Sequence, residues 1–442
     1  MKVVFIIADS LRADAPGYAG SGGETPYLDS LAAGGAWFSE AFASGAWTIP
    51  SILSMLTGAL PHRIGVARWR HPFPKRRPTL LTAFADAGFE VRAFHPYPTW
   101  GFVNTPGAGI VGDSQEPETV TDALRDGSRD GLFLIHHWWT HLPYLDSRLP
   151  LAQWHAACDF TLESLNRHPA RIAPTVERSY RRSVSFFSES LLPRYMEAAA
   201  SGGGDVLLVV TGDHGETWGR SLPKGRRIEN VYDLHGRWIA DETIRIPLLF
   251  WGRGAGGAIP ARAAIPGFAR GVDVGATIAQ LAGIPWPGKA PQQSGPEVYD
   301  AGIGNAGEGL EIAGRSLAPM LLEGGPAPSE DALTVTTQNA HVPNTYPETG
   351  RETWRTFGLR SRRGWFVWDG IDGTRRFSPL GGEEEASPSE QDAVWERLAA
   401  QWNGAQDPGA LIPDPDLARL RGVAPDESAR TEQRLRTLGY LD

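Results

Sequence analysis

The chain has 442 residues, with 51 acidic and 42 basic side chains and a net charge of −9. At 41% hydrophobic and 21% charged it can bury a full core, which excludes a compositionally disordered chain, and a pI near 5.7 gives no basic field of the kind a dedicated nucleic-acid binder needs. A single cysteine, Cys158, excludes an internal disulfide framework and every thiolate-cage metal site, and reads as a small buried apolar residue.

Residues 3–8 form a continuous β-prone run that delivers Asp9 at its end, where open α/β sheets place ligands. The run is shorter than a secretory h-region and ends in an acid, and no window approaches the ~18 apolar residues of a membrane span. A soluble cytoplasmic protein is the expectation. Thr25-Pro26 opens a helix-like stretch over 27–34, residues 80–87 read as a helix before a strand at 90–94, and 131–137 read as an apolar strand ending in histidines. A helical pattern over 180–200 is broken by Gly202-Gly203-Gly204, and 206–210 is a second strongly β run, ending in Thr211-Gly212-Asp213-His214. Another strand at 246–251 and a helix at 274–281 complete an alternation that predicts a large, mostly parallel sheet covered on both faces, a three-layer α/β/α fold. Beyond about residue 284 the composition shifts to Gly, Pro and Glu. Alternating segments at 334–338, 353–359 and 364–368 then predict a small C-terminal α+β region with an antiparallel sheet. Glu383-Glu384-Glu385 reads as a solvated turn and 427–441 as a short docked helix.

Asp9, Thr48, the pair Asp213-His214, and His235 sit where strands end or helices begin. Two carboxylates and an imidazole from separate strand ends could hold one divalent cation, and a hydroxyl on such a cation could act as a nucleophile near neutral pH. Singly, each has an ordinary reading: Thr48 before Ile49-Pro50 as a helix cap, Asp213-His214-Gly215 as a strand-ending turn. The conjunction carries the argument.

Asp9-Ser10-Leu11-Arg12-Ala13-Asp14, Thr25-Pro26-Tyr27-Leu28-Asp29-Ser30-Leu31-Ala32, Thr48-Ile49-Pro50-Ser51, Leu56-Thr57-Gly58, His141-Leu142-Pro143-Tyr144, Thr211-Gly212-Asp213-His214-Gly215-Glu216, His235-Gly236, Arg245-Ile246-Pro247-Leu248, Val272-Asp273 and Gly314-Arg315-Ser316-Leu317 follow one another in order. This series resembles the sulfatase branch of the alkaline phosphatase superfamily, over about the first 320 residues. The resemblance implies a catalytic domain over 1–325 and a C-terminal subdomain and tail over 326–442. It implies that Asp9, Asp213 and His214 bind a metal with Thr48 at the nucleophile position, and that His141 and His235 flank the substrate as oxygen binders or proton donors.

Two departures sharpen the expectation. Formylglycine sulfatases make their aldehyde from Cys or Ser in a Cys/Ser-x-Pro-x-Arg sequence. Here Thr48-Ile49-Pro50-Ser51-Ile52 stands instead, and threonine cannot be oxidised to that aldehyde. Ser10 stands where many sulfatases carry another ligating aspartate, which favours Mn²⁺ or Zn²⁺ over Ca²⁺ or Mg²⁺. One metal is expected. A second, built around His137, His141 and His235, is the lesser alternative. The expected activity is hydrolysis of a small anionic ester, a phosphodiester or phosphonate monoester before others, through a covalent phospho-threonine. A sulfatase without formylglycine, a phospho-group transferase and a non-catalytic binding protein on the same fold are the competing readings. Trp47, Trp138, Trp139, Tyr144, Trp218 and Trp238 lie beside the motifs, most of them read as core or packing between loops, with an aromatic surround of the site as the alternative. Arg63, Lys224, Arg226 and Arg227 are candidate cations for an anionic substrate, although the 224–227 cluster reads first as an exposed loop. The sequence leaves the oligomeric state open.

Overall fold

The computed structural model of the chain describes residues 1–20, 22–64, 78–96, 107–126, 130–144, 151–219, 227–228, 234–236, 239–286, 313–327, 331–337, 354–369, 374–380 and 386–406. Strand β1 (Lys2–Ala8) is buried along its whole length, as a central strand covered on both faces must be. Helix α1 (Pro26–Gly34) and strand β2 (Ala36–Phe42) follow. Helix α2 (Thr48–Thr57) is buried at all ten positions and ends at Gly58, whose φ of 69° lets its N–H return to the Ser54 carbonyl at 2.8 Å. After the short α3 (Pro61–Ile64), helix α4 (Leu80–Asp86) starts in a reciprocal cap between Thr79 and Thr82. Strands β3 (Glu90–His95) and β4 (Ile110–Asp113), helix α5 (Pro117–Asp126) and strand β5 (Gly131–His137) come next.

A long helical hairpin, α6 (Leu151–Arg167) and α7 (Pro169–Phe186), passes through one π turn at Phe187–Leu191 into α8 (Leu192–Ala200). Strand β6 (Val206–Gly212) then returns to the sheet centre. A short α9 (Asp241–Ile244) precedes β7 (Arg245–Ile246) and β8 (Leu248–Gly254), where the sequence suggested one strand. Pro247, without an N–H, divides that run: β7 pairs with β2, and β8 with both β2 and β6. Strands β9 (Gly257–Ala258) and β10 (Ile265–Arg270) and helices α10 (Asp273–Leu281) and α11 (Ala318–Leu322) complete this part.

The main sheet runs β10-β2-β8-β6-β1-β5-β3-β4, with β7 and β9 on its margins. From β6 to β4 all neighbours are parallel, while β8 runs antiparallel to β6 and β2. Helices α2, α4 and α10 pack together in one layer, and α1, α5 and α8 in the other. The fold is therefore the three-layer α/β/α arrangement with a mostly parallel sheet.

The second sheet is antiparallel, β11 (Asp331–Thr337), β12 (Trp354–Ser361), β13 (Gly364–Asp369) and β14 (Arg375–Pro379) in that order, covered by α12 (Pro388–Gln406). Its own core gathers Leu333, Phe357, Leu359, Phe366, Trp395 and Leu398. It is tied to the main sheet by the Thr334 hydroxyl on the Ala43 carbonyl at 2.6 Å, and by Arg360, which ion-pairs with Asp241 at 3.1 Å and lies over the Phe42 ring. Residues 383–385 and 427–441 lie outside the described residues. Among the described residues no helix is long and apolar enough to cross a membrane.

Candidate active site

The parallel strands β1, β5 and β6 end side by side, and their register sets the chemistry. Ile7 pairs with His136 on one side and Thr211 on the other. Because side chains alternate between faces, Asp9, His136 and Asp213 emerge on one face, whereas His137 shares the opposite face with Ala8. All four are fully or almost fully buried. The ligand atoms of Asp9, His136 and Asp213 lie within 4.8 Å of one another.

Ser10 organises the two carboxylates. Its φ of 59° places it in the left-handed region, so that its N–H donates to Asp213 Oδ1 and its hydroxyl to Asp9 Oδ1, both at 3.0 Å. Asp213 Oδ1 also accepts the His214 N–H at 2.8 Å. With both Oδ1 atoms held, the Oδ2 atoms face the site. Asp9 Oδ2 accepts the Thr48 hydroxyl at 3.3 Å and lies 3.1 Å from His136 Nε2. Asp213 Oδ2 has no hydrogen-bond partner among the described residues, and His214 Nε2 lies 3.4 Å from it. Ser10 thus acts as a clamp on the two acids.

Thr48 does not cap α2. The N-cap is Trp47, and Thr48 opens the first turn with its hydroxyl aimed at Asp9 and, 3.4 Å away, at His214 Nε2. The positive end of the helix dipole therefore meets the two acids and the threonine. Ser51, one turn on, donates to the Asp213 carbonyl at 2.5 Å and pins helix to strand end. His214 Nδ1 donates to the Gly215 carbonyl at 2.9 Å, which leaves Nε2 as the atom that faces Thr48. Gly215 is required by space: a Cβ there would stand 2.0 Å from the Glu242 carbonyl.

His235 and His141 line the same site. The His235 ring lies 4.3 Å from that of His214 and 5.6 Å from that of His141. His141 Nδ1 donates to the Leu142 carbonyl at 2.7 Å, and its ring stacks with Trp138 and Trp154. His235 Nδ1 faces the fully buried Glu216 at 3.4 Å. Arg12 is committed elsewhere, bound to both Asp14 oxygens at 2.8 and 2.7 Å and to the Glu216 carbonyl at 2.7 Å.

The electrostatics follow from burial. Burial, reinforced by the Asp9 charge, pushes Asp213 up to about 7. Burial alone would raise Asp9 too, but the adjoining histidines, His141 and His136 foremost, hold it well below the usual carboxylate range. Burial lowers His214, against the pull of Asp213. Two acids, two imidazole nitrogens and a hydroxyl converge here, with Asp213 Oδ2 left without a donor. That set fits a divalent cation: carboxylate oxygens cancel its charge and imidazole nitrogen suits a first-row metal.

All six residues singled out in the sequence, Asp9, Thr48, His141, Asp213, His214 and His235, converge here. The second-metal grouping does not form around His137, which is strand-borne, turned to the other face and packed 4.7 Å from the Phe187 ring, with no hydrogen-bond partner for either nitrogen among the described residues. Sequence reasoning missed His136, although alternation along β5 carries the signal, and it missed the Ser10 clamp and Glu216. Trp47, Trp138, Trp139, Tyr144 and Trp218 are buried. Lys224, Arg226 and Trp238 lie outside the described residues.

Residues 2–123 match the sulfatase family model. Among solved structures, a 2-O GAG sulfatase is 15% identical, with 99% of this chain and 94% of that chain covered and a TM-score of 0.62. A phosphonate monoester hydrolase from Silicibacter pomeroyi is 18% identical (90% and 94% covered, TM-score 0.60), and one from Agrobacterium radiobacter 16% (91% and 95%, TM-score 0.62). No curated protein matches the chain in sequence. The fold is that of these sulfatases and phosphonate monoester hydrolases, and the N-terminal match is consistent with a sulfatase-like member of the alkaline phosphatase superfamily.

Proposed function

We propose that the protein is a metal-dependent hydrolase of a small anionic phosphate ester, a phosphodiester or phosphonate monoester, with Thr48 as nucleophile. The observation that carries this reading is the Thr48 hydroxyl at the N-terminus of α2, 3.3 Å from Asp9 and 3.4 Å from His214. Asp9, Asp213 and His214, with Thr48, would hold the cation. A divalent cation there supplies Lewis-acid charge that acidifies a neighbouring hydroxyl and neutralises an ester oxygen.

The chain's own groups do the rest. Thr48 donates its proton toward Asp9, so its lone pairs are open to phosphorus. The Oγ–P bond forms as the P–O bond to the leaving alcohol breaks, and a phospho-threonine remains. Water then adds to phosphorus and Thr48 Oγ departs with a proton. His141 and His235, which line the site, are the groups assigned to give the leaving oxygen its proton and to take one from the incoming water. Fixed at Nδ1 by the Leu142 carbonyl, His141 turns Nε2 to the site, as an acceptor when neutral and a donor when protonated. Glu216 orients His235 in the same manner. One cation against two buried acids leaves little surplus positive charge, which suits a singly charged ester better than a dianionic monoester.

The test is turnover of aryl phosphate monoester, phosphodiester, phosphonate monoester and sulfate by metal-stripped protein reloaded with Mn²⁺ or Zn²⁺, beside Thr48→Ala and Thr48→Ser. The diester or phosphonate should react fastest, Thr48→Ala should lose at least about a thousandfold in kcat, and mass spectrometry should find the phosphoryl group on Thr48. A sulfate preference that still depends on Thr48 would make the protein a sulfatase without formylglycine, the reading that the whole-length likeness to a 2-O GAG sulfatase favours.

A further inference from the structure

His136 has no part in the ligand set that the motifs imply, yet its Nε2 lies 3.1 Å from Asp9 Oδ2 and in the same 4.8 Å group as Asp213. Resting on the reading above that this site holds a divalent cation, we infer that His136 is a ligand of that cation and the residue that selects a first-row transition metal over Ca²⁺ or Mg²⁺.

The argument begins with charge. Asp9 and Asp213 are both 0% exposed, and the nearby guanidinium, Arg12, is engaged by Asp14. Two buried carboxylates with no Lys or Arg partner among the described residues need a compensating cation, and a divalent ion cancels them. The spacing comes next. Ligands about 2.0–2.2 Å from a shared ion stand roughly 3 Å apart when adjacent and about 4 Å when opposite. The edges His136–Asp9 (3.1 Å), Thr48–Asp9 (3.3 Å) and His214–Asp213 (3.4 Å) are of the adjacent kind. Orientation agrees, because the Ser10 clamp ties up both Oδ1 atoms and leaves Asp9 Oδ2 and Asp213 Oδ2 toward His136 and His214. The donor set becomes two carboxylates, one hydroxyl and two imidazoles. Ca²⁺ seeks six to eight oxygens and Mg²⁺ an oxygen octahedron, whereas imidazole nitrogen suits borderline first-row ions.

The experiment uses the full chain stripped of metal, with Co²⁺, Zn²⁺ and Ca²⁺ as probes and no activity readout. Competition against a chromophoric chelator gives affinities, and X-ray absorption on the Zn²⁺ form counts imidazole scatterers. Wild type should bind one Zn²⁺ through two imidazoles, with a Co²⁺ visible spectrum that changes in His136→Asn and His136→Gln. Both variants should lose about 100-fold or more in Co²⁺ and Zn²⁺ affinity, keep Ca²⁺ affinity within about threefold, and show one imidazole. An unchanged spectrum, equal losses for Ca²⁺ and Co²⁺, or a single imidazole in wild type would overturn the inference and leave the hydrolase reading intact. The absorption count on wild type holds whether or not a variant folds. No binding of any ion by wild type would sink the proposed function and this inference together.

Discussion

The pair of buried acids predicts a protein more stable when one of them is neutral. Asp213 is pushed up to about 7 from an ordinary 3.8, because it is wholly buried beside the Asp9 charge. A group raised on folding contributes stability that is fully present below its unfolded value, near 3.8, and lost as pH rises through about 7. Over that interval the Asp213 carboxyl's own contribution, without metal, should fall by about 4 kcal/mol at ~1.4 kcal/mol per unit. Asp213→Asn escapes the loss. Its Oδ1 can still accept the Ser10 and His214 N–H groups, and its new N–H₂ meets His214 Nε2, an acceptor, in place of a carboxylate without a donor. With an unfolding entropy of about 0.9 kcal/mol/K for a chain of this length, 4 kcal/mol corresponds to about 4 °C in Tm. Calorimetry of chelator-treated proteins should therefore find Asp213→Asn melting about 4 °C above wild type at pH 8, with the gap closing toward pH 4. Mn²⁺ or Zn²⁺ at a hundred times Kd should close most of the gap, raising wild type by about 3 kcal/mol and the variant by nothing. Asp213→Asn melting at or below wild type at pH 8 without metal, or gaining equally from metal, would refute the reasoning.

Other consequences concern the scaffold. Burial, helped by the adjacent His136, lowers His137 to about 3; a histidine depressed on folding contributes stability that is present above about 6.5 and lost as pH falls toward 3. Urea titrations at pH 7 and pH 5 should show His137→Leu losing about 2 kcal/mol less than wild type over that step, and an equal loss would rule out a neutral buried His137. Arg270 holds Asp273 through two bonds at 2.9 and 2.6 Å, both groups buried, at the start of α10. Arg270→Met leaves that carboxylate without its cation and should cost about 3–5 kcal/mol, measured by denaturant midpoint, while Arg270→Met with Asp273→Asn should recover much of the loss.

The strands that build the sheet centre, β1, β5 and β6, were legible as contiguous apolar runs, and so were the polar residues on which they end. Local periodicity and composition are properties of neighbours along the chain, and the ordered motifs carried Asp9, Thr48, His141, Asp213, His214 and His235. Local pattern also led astray where a single run concealed two strands, since only the pairing partners reveal that Pro247 separates β7, which pairs with β2, from β8, which pairs with both β2 and β6.

What tertiary structure alone decided is which side chains share the site. His136 and His137 are adjacent and chemically identical in sequence, and the register of β5 on β1 sends one to the acids and the other to Phe187. The role of Ser10 depends on an acid 203 positions away, and the orientation of His235 on Glu216, 19 positions away in another loop. The sequence determined the elements and the residue types at their ends. Register and loop closure determined the site, because distance and direction between remote residues are not encoded in any contiguous stretch of chain.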